Sequence, residues 1–220
     1  MIYLSPTTKI PERYDSAFGI MFSAVHPIGG LDDALVQGKS WMMDNNAFTK
    51  KFKMPIWLGA LEKYRGFADS CLGIPVPDVV GDYKKTLALF YQHRHLVVDH
   101  GLPVAFVTQD GLTPEETPWG HFSTLFVGGS DKHKLSVEAG LLIAEAKRRG
   151  KWVHIGRVNS AKRLKQKFWM ADSVDGTTLI KAMLKRNDGG RDRRGFLSEV
   201  RRLHSAVNYC NRVKAQEVLL

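Results

Sequence analysis

"TLFVGGSDKHKLSVEAGLLIAEAKRRGKWVHI", residues 124–155, reads as one strand–helix–strand unit. The apolar run "TLFVGG" (124–129) and the run "WVHI" (152–155) are the strands. Between them, residues 130–150 form a helix that opens at Ser130 and closes at Gly150, behind Lys147, Arg148 and Arg149, a charge order that suits the helix dipole. The unit is repeated in kind along the chain. Further apolar runs stand at 2–4, 17–22, 41–43, 72–76, 103–108 and 168–171 ("FWMA"), and a second clear helix covers 81–101. Most runs are apolar at consecutive positions instead of alternating, as expected for parallel strands covered on both faces. Strand and helix alternation implies right-handed crossovers. Eight strands predict an α/β fold, a compact (β/α)8 TIM-type barrel, in fewer residues than the ~250 usual for it. A doubly wound open sheet is the competitor, but no GxGxxG follows an early strand, and "IGRVNS" after "WVH" lacks the glycine spacing of a dinucleotide loop.

A chain of 220 residues with 44% hydrophobic and 25% charged residues is expected to form one domain, with a barrel core over about 1–184 and a basic C-terminal helical extension over about 185–220. No run reaches the ~18 apolar residues of a membrane span, and the first residues lack the pattern of a signal peptide, so a soluble, cytoplasmic protein is expected. Cys71 and Cys210 form no CxxC pair, and His93 and His95 point to different faces of a helix, so neither a metal site nor a bound cofactor is expected. The stretches 113–121 and 187–195 carry the prolines, glycines and charges of mobile loops.

The formal net charge is +10. Residues 181–220 hold ten Lys or Arg against four acids, and a second cluster runs from 147 to 167. Such an excess fits a polyanion, whose phosphates release counterions when neutralised. Arg157, Lys162, Arg163, Lys165, Arg193 and Arg194 are the candidate phosphate contacts.

Chemistry in a barrel gathers on loops beyond the C-terminal strand ends. Just past the apolar runs stand Asp44 with Asn45, Asp78 with Asp82, Gln109, Gly128 with Gly129, Arg157, and Asp172 with Asp175. An isolated aspartate there commonly caps a helix, and Asp82 and Asp131 each stand where a cap belongs. Several acids at one mouth of a basic protein suit either a divalent-metal phosphotransfer site or chemistry at an anomeric carbon, where one carboxylate attacks and another moves a proton. The neighbouring amide and backbone groups favour the second, since they can read a heterocycle edge.

"WMMDNNAF", "VPDVVGDYKKT", "VTQDG", "FVGGSD" and "HIGRVNSAKRL" followed by "MADSVDGT" resemble, in the same order over about residues 41–178, the "TDSGGF", "FDECTP", "VQGG", "IGGL" and "LMGVGTPEDL"–"MFDCVMPT" segments of the tRNA-guanine transglycosylases. The resemblance implies Asp172 as covalent nucleophile and Asp44 as general acid/base. It places Asp78, Gln109, Gly128 and Gly129 around the base, with Asn45, Asp82 and Asp175 behind them. The tRNA enzymes carry a C-terminal zinc site and further length that this sequence lacks. It therefore looks more like the short, phage-type 7-deazaguanine DNA transglycosylases, which exchange guanine in DNA for a free 7-deazaguanine base. Extruding the target base calls for an aromatic near the mouth, and Phe48 and Trp119 are the candidates. The implied partners are DNA and the free base, with an accessory protein or a homodimer as a further option. Action on tRNA and a non-catalytic nucleic-acid-binding barrel are the alternatives.

Overall fold

The computed structural model describes every residue except 27, 169, 185–191 and 218–220, and the side chains of all of these except residues 48, 166, 167 and 217. Eight parallel strands run β1 (Ile2–Ser5), β2 (Phe18–Ser23), β3 (Trp41–Asp44), β4 (Ile74–Pro75), β5 (Val104–Thr108), β6 (Thr124–Val127), β7 (Trp152–Ile155) and β8 (Ser173–Asp175). They pair in the order β3-β2-β1-β8-β7-β6-β5-β4. The two edges meet at a parallel bridge between Trp41 and Cys71, where Leu72 N–H donates to Trp41 O at 2.8 Å, so the ring is nearly closed. The fold is the expected α/β barrel.

Helices α1 (Leu31–Val36), α2 (Met54–Tyr64), α3 (Tyr83–Asp99), α4 (Asp131–Lys134), α5 (Val137–Arg148), α6 (Ala161–Lys167), α7 (Thr178–Met183) and α8 (Arg193–Glu217) surround it. The single helix expected over 130–150 is two, because Ser130 caps the first through His133 N–H and Ser136 starts a second by accepting from Ala139 N–H. Compactness has a clear origin. Among the described residues the β1–β2 and β5–β6 connections carry only short 3-10 turns, Glu12–Ala17 and Trp119–His121. Aromatic packing replaces a helix outside β5, with the Phe90 and Phe122 rings 4.9 and 5.5 Å from that of Phe106. Segment 113–121, expected to be a mobile loop, is tied down by Trp119 Nε1–H donating to Pro114 O at 2.8 Å. The other expected mobile stretch lies outside the described residues at 187–191.

Strand residues alternate between two cores, which explains why the runs read as continuously apolar. Leu4, Met21, Met42 and Ala105 pack together, with Phe126 against them, inside the barrel. Ile20, Phe22, Trp41, Met43, Phe106, Val153 and Val174 belong to the layer beneath the helices. Helix α8 buries Phe196, Val200, Leu203, Val207 and Cys210, a three-to-four-residue stripe, against the barrel and keeps its arginines outward, while Lys214 turns in to Ala171 O and Asp172. No described helix is long and apolar enough to cross a membrane.

The eighth strand departs from the sequence reading. It is residues 173–175, not the apolar run 168–171, of which Trp169 lies outside the described residues. Phe168 and Ala171 are buried in the turn that leaves α6, Ala171 N–H donating to Phe168 O, so their apolarity comes from helix-to-strand packing.

Candidate active site at the barrel mouth

The C-terminal ends of the strands enclose a cavity of about 520 Å³, within the ~300–1,000 Å³ usual for small-molecule sites. Asp44, Asn45, Asp78, Gln109, Gly128, Gly129, Arg157 and Asp175 line it, so most residues singled out in the sequence do converge. The strand period places them: Asp44 shares a face with inward Met42, Gln109 with Ala105, and Gly128 with Phe126.

Asp78 sits partly buried in a polar frame. Its Oδ1 accepts from Asn45 Nδ2 at 2.7 Å and its Oδ2 from Gln109 Nε2 at 2.6 Å. Asn45 Nδ2 also donates to Val76 O, and Gln109 Oε1 accepts from Gly81 N–H at 2.9 Å. Both amides are thereby fixed in orientation. Burial pushes the Asp78 carboxyl up, and the two amide donors pull it partly back. Asp44 is pushed up to about 6, first by burial and then by the charges of Asp175 and Asp78, against the main-chain amides of Asn46 and Asn45. Gly128 closes the floor: a Cβ there would lie 2.7 Å from Val107 Cγ1 and 2.9 Å from Thr108 O.

Asp172 is not at this mouth. It precedes the first residue of β8, at the opposite end of the barrel, and its carboxylate takes both oxygens to Lys147 Nζ at 2.7 and 2.8 Å. Lys214 Nζ at 3.3 Å and Val153 N–H at 2.9 Å complete its shell. A strand cannot present residues 172 and 175 alike, because three steps separate both their faces and their heights. Asp172 therefore belongs to a structural ion-pair cluster. Asp172→Asn is expected to lower stability by roughly 1–3 kcal/mol, the usual cost of a half-exposed pair broken on one side, as chemical denaturation would measure.

Asp175 holds the mouth position on β8. Among the described residues its hydrogen bonds fall on Oδ1, from Arg157 N–H at 3.0 Å and from His154 Nε2 at 3.1 Å. His154 is fully buried inside the barrel, its Nδ1 2.9 Å from Ser173 Oγ, which also accepts from Trp152 Nε1–H at 2.8 Å. With Asp175 ionised, Nε2 carries the proton and Nδ1 accepts the Ser173 hydroxyl. A chain of donors thus runs from Trp152 to the carboxylate. Arg157 itself adopts a left-handed φ of 60°, and its guanidinium donates to Gly129 O. The signal for this column was in the sequence: Ser173 and Asp175 flank outward Val174, and His154 is the polar position in "WVHI".

The remaining assignments separate. Asp82 caps α3 by accepting from Lys85 N–H at 3.0 Å and does not line the cavity. Asp131 follows the cap Ser130 and pairs with Arg163 at 3.0 Å. Lys162 is exposed at the mouth side of α6, whereas Lys165 turns its ammonium to the Tyr209 ring of α8, 5.3 Å away. Arg193 and Arg194 are exposed at the start of α8. Trp119 faces the outside of α5, with the Arg149 guanidinium 5.2 Å from its ring, and so is not a stacking group at the mouth. The Phe48 side chain lies outside the described residues, and Phe126 is the ring that lines the cavity. Asn159, Thr177 and Lys181 complete the wall, Asn159 Oδ1 accepting from Thr177 N–H at 2.7 Å.

No protein-family model and no curated protein matches the chain. Solved structures similar to it include a variant of the tryptophan synthase alpha-subunit from the hyperthermophile Pyrococcus furiosus, at 12% identity and a TM-score of 0.53 over 94% of this chain and 96% of that one. The tryptophan synthase complex from Pyrococcus furiosus is similar at 13% identity and a TM-score of 0.51, over 94% and 96% of the two chains. These likenesses show the barrel fold.

Proposed function

We propose that the chain is a base-exchange enzyme that replaces guanine in DNA with a free 7-deazaguanine, such as the 7-cyano form, through a covalent aspartyl–sugar intermediate, with Asp175 as the attacking carboxylate. The observation that carries this reading is the pairing of two unlike carboxyl groups at one mouth. Asp44 is raised to about 6, where it can give and take a proton near neutral pH, while Asp175 is oriented by two donors on one oxygen. Between them, Asp78 and Gln109 offer an acceptor-and-amide edge suited to guanine.

The reaction follows from these groups. Asp175 Oδ2 bonds to C1′ as the C1′–N9 bond breaks, and the electron pair left on the purine takes the Asp44 proton. The incoming base then attacks C1′ from the vacated face, loses its proton to Asp44, and displaces the Asp175 ester. Two inversions give retention. Asp78 accepts from the N1–H and amino group of guanine, and the second N–H of Gln109 donates to the carbonyl edge. The base must leave the stack to reach this depth, at a cost of a few kcal/mol.

The test incubates guanine-labelled DNA, with tRNA in parallel, and a 7-deazaguanine base with the wild type, Asp175→Asn and Asp172→Asn. Release from DNA that is lost in Asp175→Asn and kept in Asp172→Asn supports the proposal. Release from tRNA alone moves the substrate to RNA, and release from neither favours a binding protein.

A further inference from the structure

We propose that the exposed lysines around the mouth form a docking ring for a polynucleotide strand, which crosses the barrel top from the loop after β3 to the loop after β7. This rests on the base-exchange reading for what enters the cavity below. The starting observation is a set of exposed lysines around the mouth that no carboxylate neutralises among the described residues. Away from the mouth several cations are neutralised: Lys147 by Asp172, Arg148 and Arg149 by Glu145, Arg202 by Glu199 and Lys63 by Asp32. On the segments that leave the C-terminal strand ends Lys85 pairs with Asp82, and Arg163 and Lys134 with Asp131, but seven further lysines do not pair. Lys9 after β1, Lys50, Lys51 and Lys53 after β3, Lys132 after β6, Lys162 after β7 and Lys181 after β8 are all exposed, and none has a carboxylate partner among the described residues.

The topology sets these loops around the cavity. In a ring ordered β3-β2-β1-β8-β7-β6-β5-β4, β3 and β7 are four strands apart in either direction, so their loops face each other across the opening. Lys50, Lys51 and Lys53 therefore stand opposite Lys162. Like charges gathered on one face repel each other, and a polyanion removes that cost while releasing its counterions. A strand spanning the two clusters has phosphates on cations at both ends and a nucleotide above the cavity between them. That geometry favours a polynucleotide over an acidic protein, since only the former carries a base able to enter a cavity of about 520 Å³ between two charged contacts. The lysines after β3 lie far in sequence from the basic C-terminal third and join it only through closure of the barrel.

The test measures anisotropy of a labelled single-stranded, guanine-containing oligonucleotide between 50 and 200 mM salt. The samples are the wild type, the K50Q/K51Q/K53Q variant, K162Q and the flank control K63Q/R65Q. Three lost phosphate contacts flatten the log–log salt slope by about 2, at ~0.7 per contact for single strands, and weaken binding at 50 mM salt at least ~10-fold. K162Q flattens it by about 0.7, and the control leaves it unchanged. An unchanged slope in the triple variant, or an equal loss in the control, overturns the ring. Displacement of the oligonucleotide by polyglutamate at matched charge and equal potency overturns its nucleic-acid assignment. Guanine release in the same samples separates the two proposals: binding through Lys50, Lys51 and Lys53 without release leaves the ring standing and removes base exchange. Release whose KM ignores those lysines does the reverse.

Discussion

Asp175→Asn is expected to reduce guanine release at least ~10³-fold, because loss of a covalent nucleophile removes the whole first step instead of slowing it. Asparagine is nearly isosteric, and its Oδ1 can still accept from His154 Nε2 and Arg157 N–H, so the barrel should keep its melting temperature within a few degrees. The wild type should also form an adduct, 25 kDa protein plus a denaturation-resistant sugar ester, that Asp175→Asn cannot make. The comparison with Asp172→Asn gives this experiment its force. Both aspartates lie within four residues of each other, yet one should lose chemistry and keep stability, and the other should lose stability and keep chemistry. Activity that survives in Asp175→Asn and vanishes in Asp172→Asn would return the nucleophile to Asp172 and require β8 to slide.

Asp44→Asn should act in two directions at once. The folded carboxyl titrates at about 6 against 3.8 for its ordinary value, so between these pH values the native state holds more protons than the unfolded chain. Stability must therefore fall as pH rises through the window from about 4 to 6, and above it the ionised Asp44 is a standing cost. Asparagine removes that cost. The variant is expected to be more stable than the wild type by about 1–3 kcal/mol at pH 7, with the difference fading below pH 4, as urea titrations at the two pH values would show. Its base-exchange rate should drop ~10²–10⁴-fold, the usual contribution of a general acid/base. A stability difference that does not change with pH would mean that burial of Asp44 does not govern its titration.

These opposed effects show how a site shapes its surroundings. Three carboxylates share one cavity in a strongly basic protein, and the fold orients them through Asn45, Gln109 and His154. Amide and imidazole donors hold a carboxylate in place while leaving its charge available for chemistry, which a lysine pair such as that on Asp172 does not.

The sequence by itself determined the class of fold. Runs such as "VAFV" (104–107) are apolar at every position because barrel strands are covered on both faces, and this pattern is local enough to read directly. It also determined the acids at the ends of β3 and β4 and the amide after β5, since each stands at or within three residues of its strand's end. What only the tertiary structure decided was the end of the barrel on which the last acids lie. "FWMA" has the composition of a strand, but packing of Phe168 and Ala171 beneath the barrel helices claims it for the turn before β8. That shift passes the mouth from Asp172 to Asp175, because side chains alternate with a period of two and three steps exchange both face and height. The opposition of Lys50, Lys51 and Lys53 to Lys162 is likewise invisible along the chain. It exists because closing eight strands into a ring brings residues more than a hundred positions apart to the rim of the same opening.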